Sequence, residues 1–158
     1  MKLDVTIEDR GPVRLGTVPH LGPYAGIGEA FERLHILVEA AGLPRSRMVE
    51  LLGIYYDDPQ TTPQAALRSD AAIAVPEDAV LPTGLIEKRL PAGRYARASH
   101  VGSYDGLPGL WQRLFSEWLP GSGQRLRARP AASFEIYRNT PEDVPPSALR
   151  TDLYVPIE

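Results

Sequence analysis

Residues 18–34, VPHLGPYAGIGEAFERL, and residues 98–114, ASHVGSYDGLPGLWQRL, carry one pattern twice, eighty positions apart. His20 aligns with His100, Gly22 with Gly102, Tyr24 with Tyr104, Gly26 with Gly106, Arg33 with Arg113 and Leu34 with Leu114. These six identities fall in a gapless run of about fifteen positions, where roughly one is expected by chance at ordinary residue frequencies. A tandem duplication is the expectation, giving one domain built of two pseudo-symmetric halves, about 1–78 and 79–158. A cleft between two related halves is a natural seat for a ligand.

Working outward, each repeated block follows two short segments of period-2 alternation. In the first half these lie around 2–8 (KLDVTIE) and 13–18 (VRLGTV), split by Arg10-Gly11-Pro12. In the second half they are 84–90 and 93–100, split by Pro91-Ala92-Gly93. Alternation interrupted by Gly and Pro reads as two strands and a turn. Ile27, Phe31, Leu34, Val38 and Ala41 then recur at three- and four-residue steps, which predicts a helix stopped by Gly42 and Pro44. Its counterpart over 104–119 carries Leu107, Leu110, Trp111, Leu114, Phe115 and Trp118 on its apolar side. Strands follow at 51–56 and 70–76, and at 133–139 and 152–158. LRSD at 67–70 echoes LRTD at 149–152, an offset of 82, whereas Val75-Pro76 and Val155-Pro156 stand 80 apart. The expected class is α+β, an antiparallel sheet with the helix of each half packed on one face.

Composition narrows the functions. The formal net charge of −3, from 17 basic and 20 acidic side chains, supplies no field for a polyanion, so direct nucleic-acid binding is not expected. Arg125, Arg127 and Arg129 form the densest basic run and read as a solvated strand entry. The chain has no cysteine, which removes disulfides, thiolate metal sites and thiol nucleophiles. The N-terminal segment lacks the apolar block of a signal peptide, and no apolar run is long enough for a bilayer. A cytoplasmic protein without membrane contact or cofactor is the expectation.

YYDDPQTTPQAALRSD (55–70), LPAGRYARASHVGSY (90–104) and SFEIYRN (133–139) resemble the GyrI-like small-molecule-binding domain family. That family includes SbmC-like DNA gyrase inhibitory proteins and the effector-binding domains of AraC-type and BmrR-like multidrug regulators. The resemblance runs from about residue 3 to 157 and implies a tandem of strand-helix-strand-strand (SHS2) units. The chain starts directly in its first strand, with no helix-turn-helix ahead of it, so a transcription factor acting alone is not expected.

In SFEIYRN the pleat sends Phe134 and Ile136 to one face and Glu135 and Tyr137 to the other. From the residues alone, Glu135 is either solvated on an open sheet face or buried. The resemblance implies the second, because in multidrug-binding members a buried Glu on this strand meets lipophilic cations. An unpartnered buried carboxylate is unfavourable, and a cation held among aromatic walls relieves it. The eighty-residue offset sets Tyr55 opposite Glu135 and Phe31 opposite Trp111, and Tyr154 is expected to close one end of the cleft. Phe31 and Trp111 also sit on apolar helix stripes, where an aromatic is commonly core. The candidate ligand-binding set is therefore Glu135, Tyr55, Trp111, Tyr137, Tyr154 and Phe31.

Other motifs carry less. His20 and His100 repeat in His-x-Gly-x-Tyr, which suggests a shared hydrogen bond fixing a turn, and three scattered histidines give no metal spacing. GIGEAF (26–31) has Phe31 where a dinucleotide loop needs its third glycine. No G-x-S-x-G elbow and no P-loop occur. Three functions remain, in order: binding of a drug-like hydrophobic or cationic molecule, modulation of DNA gyrase, and hydrolysis of strained cyclopropane-bearing genotoxins. In the last, which the resemblance alone suggests, Glu135 would activate water with Tyr55 or Tyr137 as donor.

Overall fold

The structure is a computed structural model and describes residues 3–128 and 131–158. Residue 2, where the first strand was expected to begin, and Arg129 of the basic run lie outside the described residues. Two compact units emerge: Pro12–Pro91, and Met1–Gly11 together with Ala92–Glu158.

The Pro12–Pro91 unit contains β2 (Val13–Leu21), α1 (Gly28–Ala41), β3 (Glu50–Tyr55), β4 (Arg68–Ala74) and β5 (Ile86–Leu90). Its strands pair antiparallel in the order β3-β4-β2-β5. Helix α1 lays Ala30, Leu34 and Val38 onto Val18, Ala71 and Ile73 of the sheet. Gly42, at φ 67°, ends the helix and donates its N–H to the carbonyls of Val38 and Glu39. The left-handed conformation is open to glycine without a Cβ penalty.

The other unit contains β1 (Val5–Arg10), β6 (Gly93–Val101), α2 (Leu107–Arg113), α3 (Leu119–Ser122), β7 (Ser133–Tyr137) and β8 (Arg150–Ile157). Here the antiparallel order is β1-β6-β8-β7. Leu107 and Leu114 cover Ala96, Ala98, Leu153, Val155 and Ile157. The helix expected over 104–119 begins with a 3-10 turn at Tyr104–Gly106 and runs to Ser122 through a wider π turn, Leu114–Trp118. Pro120 has no N–H and would crowd the carbonyl four residues back in a regular helix, and the wider turn relaxes that conflict.

The same local contacts recur at the strand-to-helix junction of each unit. His20 Nε2 lies 3.0 Å from the Pro23 carbonyl, and His100 Nε2 lies 2.8 Å from that of Ser103. Gly22 (φ 120°) donates to the Leu67 carbonyl at 2.8 Å, and Gly102 (φ 129°) to the Leu149 carbonyl at 2.8 Å. Among the described residues no helix is long and apolar enough to cross a membrane.

Candidate functional site

Strand β7 places Glu135 opposite Leu153 of β8, on the face that α2 covers, and leaves it 4% exposed. A solvated carboxylate on an open face is thereby ruled out. One carboxylate oxygen accepts the indole N–H of Trp111 at 2.6 Å, and the other accepts the phenol of Tyr137 at 2.6 Å. Tyr104 stands edge-on to Tyr137, ring centroids 5.7 Å apart. Burial, and then the charge on Glu135, push the Tyr104 phenol above its ordinary pKa. Phe115, one turn beyond Trp111, stacks on it at 6.0 Å and 17°. The result is a buried carboxylate held by two aromatic donors, each of which packs against a further aromatic ring. Such a site attracts a cation through charge and through the ring quadrupoles.

The structure brings Glu135, Trp111 and Tyr137 together and separates Tyr154 from them. Tyr154 pairs with Phe134, so the pleat turns it to the other sheet face. There it is fully buried, stacks on Phe134 at 4.8 Å and lies under the Arg10 guanidinium, 4.8 Å from its ring centroid. Its hydroxyl accepts a hydrogen bond from Arg138 at 2.9 Å. An aromatic in that position packs the sheet and does not join the Glu135 cluster.

Tyr55 and Phe31 belong to the Pro12–Pro91 unit. Phe31 packs against the α1 core, as its stripe position allows. Tyr55 meets Tyr24 edge-on at 4.9 Å and 66°, which is the same arrangement as Tyr137 with Tyr104. Sheet register explains the match. Asp70 faces Ile54 across β3 and β4, and Asp152 faces Ile136 across β7 and β8. The strand offset is therefore 82, which sets Tyr55 against Tyr137 and Gly53, not Tyr55, against Glu135. The same offset runs through β4 and β8, where Ile73 faces Gly16 and Val155 faces Ala96, so the Val-Pro echo has no counterpart in the register.

Tyr104 and Phe115, which contact Tyr137 and Trp111, are not in the sequence-derived candidate set. Tyr104 carries a sequence signal in its repetition as Tyr24, whereas Phe115 reads as part of the apolar helix face. Among the described residues no group of three or more His, Cys, Asp or Glu side chains is arranged to hold a metal ion.

Comparison with known proteins defines the class. The model of the GyrI-like small molecule binding domain matches residues 3–158, and the chain belongs to that family. It is 31% identical over 160 residues to the probable transcriptional regulator YgiV of Escherichia coli K12, covering 99% of this chain and 98% of the relative. It is 32% identical over 138 residues to a DNA gyrase inhibitor of Yersinia enterocolitica, covering 84% and 85%. Among solved structures, the EcmrR C-terminal domain superposes with a TM-score of 0.80 at 15% identity, covering 100% of this chain and 99% of that one. SAV2435 bound to tetraphenylphosphonium superposes with a TM-score of 0.72 at 11% identity, covering 99% and 94%. These two structural likenesses concern the fold.

Proposed function

We propose that the protein binds lipophilic cations at Glu135, sequestering or sensing drug-like compounds, with Trp111, Tyr137, Tyr104 and Phe115 as the aromatic surround. The carrying observation is the buried Glu135 carboxylate with aromatic donors on both oxygens. The tetraphenylphosphonium complex of a protein with this fold supports the choice of ligand. The proposed setting is the cytoplasm, in keeping with a chain that has no cysteine. Titration of tetraphenylphosphonium into a W118F background should quench Trp111 fluorescence saturably. E135Q should weaken that binding about tenfold or more, because it removes the charge and keeps the shape. Equal affinity in E135Q would sink the charge role.

A second reading is modulation of DNA gyrase, supported by relatives such as the 32% identical DNA gyrase inhibitor. Its test is supercoiling by purified gyrase with the protein added in excess. With a net charge of −3, competition for DNA is a poor mechanism, and contact with the enzyme is the expected one. Hydrolysis has the weaker case. Both Glu135 oxygens are already engaged by aromatic donors, and a general base needs an oxygen within reach of the water it activates.

A further inference from the structure

The Pro12–Pro91 unit holds a hollow of about 340 Å³ at the ends of β2 and β4, separate from the Glu135 cluster. Its one acidic side chain, Asp70, is 1% exposed and already committed, because it accepts the Tyr56 phenol and, at 2.7 Å, the Lys88 ammonium. Burial and the Asp70 hydrogen bond raise the Tyr56 pKa, which keeps the phenol protonated as a donor. Lys88 is matched by Asp70 and Arg68 by Asp57, so the hollow carries no net charge from these pairs and the donors they leave over decide what it accepts. Arg68 and Lys88 reach it from different strands, β4 and the edge strand β5, and their side chains are 52% and 40% exposed. Their charges lie 5.8 and 5.0 Å from the centroid of the Tyr56 ring.

Donor accounting points the same way. Lys88 spends one N–H on Asp70 and a longer contact, 3.3 Å, on the Tyr56 oxygen, leaving a third. Arg68 binds Asp57 through Nε and Nη2, at 3.1 and 2.8 Å, and keeps Nη1 for another acceptor. His20 also lines the hollow, and its neighbours Pro19 and Leu21, the latter 70% exposed, give it an apolar side. Ser69, also on the lining, has a buried hydroxyl with no hydrogen-bond partner among the described residues.

We propose that this hollow binds the carboxylate or phosphate of a small organic anion between Lys88 and Arg68, with its apolar body against Pro19 and Leu21. The third Lys88 N–H and Arg68 Nη1 are the donors for an oxyanion, and guanidinium and ammonium groups both recognise one. The test is a titration of the full chain with benzoate and with phenyl phosphate, followed by amide NMR at low ionic strength because the site is solvent-screened. Saturable shifts are expected at the amides of His20, Leu21, Arg68, Ser69, Asp70 and Lys88, with benzyltrimethylammonium leaving them unmoved. R68Q should weaken binding about tenfold, the loss of one charge-assisted contact. K88R keeps the charge on Asp70 and should bind within about threefold of the natural protein. The two probes rank carboxylate against phosphate. No saturable response to either probe by about 10 mM, binding unchanged in R68Q, or binding lost in a folded K88R overturns the proposal.

Discussion

Asp70 and Asp152 occupy the same register position in their sheets, and each is 1% exposed, yet different chemistry holds them. Asp152 accepts the Ser99 hydroxyl at 2.6 Å and Arg138 Nε at 2.7 Å, where Asp70 has Tyr56 and Lys88. Burial alone would raise the Asp152 carboxyl pKa. The hydrogen bonds from Ser99 and Arg138, with the charges of Arg138 and Arg150, outweigh burial and hold it below the usual aspartate range. A depressed native pKa means the stabilisation is present above the unfolded value and lost as pH falls through the native one. D152N should therefore be less stable at pH 7 and lose less stability than the natural protein between about pH 5 and 2, read by urea denaturation at several pH values. R138M leaves the carboxylate buried with its guanidinium gone and should cost about 3 kcal/mol at neutral pH in the same assay. Sequence reading could separate Glu135 and Tyr137 from Phe134 and Ile136, because the pleat of SFEIYRN fixes which way each side chain points. Whether that face is covered depends on a helix twenty-odd residues upstream in sequence, and only the family resemblance spoke to it. Tyr154 stands on the face opposite Glu135 for a simple reason: β8 register, which the sequence does not encode locally, decides its face.

At the scale of elements, the His-x-Gly-x-Tyr junction is more than a turn signal. A Cβ on Gly106 would stand 2.5 Å from His100 Cε1, whereas one on Gly26 would stand 3.2 Å from His20 Cε1. Both glycines let an imidazole pack against the opening turn of a helix, but with different room. G106A should cost about 1–3 kcal/mol, and G26A less than about 1 kcal/mol, in thermal denaturation. Nearly all strands and both helical stretches were legible from periodicity and from Gly and Pro breaks. The π turn was not, since its apolar spacing passes for ordinary helix. The strand offset is hidden for a related reason. Leu34 to Ile54 spans 20 positions and Leu114 to Ile136 spans 22, so the two-residue difference lies between helix and strand. Gap-free matching at the junction cannot register that insertion.

For the whole molecule, binding and stability are linked. A ligand that meets only the native state raises stability by about 2.7 kcal/mol at a hundred times its Kd. Saturating tetraphenylphosphonium should thus raise the melting temperature of the natural protein and much less that of E135Q. Strand β1 contributes six register pairs with β6, and its Arg10 guanidinium lies over the Phe134 and Tyr154 rings. R10A should cost about 1–2 kcal/mol through lost cation–π contact and packing, seen as an earlier urea midpoint. Alternation along VTIEDR shows that it is a strand, but not which strand it will join.

That choice of partner has a consequence for the order of events during synthesis. Val5 pairs with Ala98, so β1 leaves the ribosome long before its partner exists. At about 5–20 residues per second it waits roughly 5–20 seconds, a short charged segment with nothing to pair with. Residues 12–91 include every strand of their own unit and can begin to close in that interval. Charged side chains disfavour edge-to-edge pairing of an unpaired strand, and β1 carries three of them in a row, Glu8, Asp9 and Arg10.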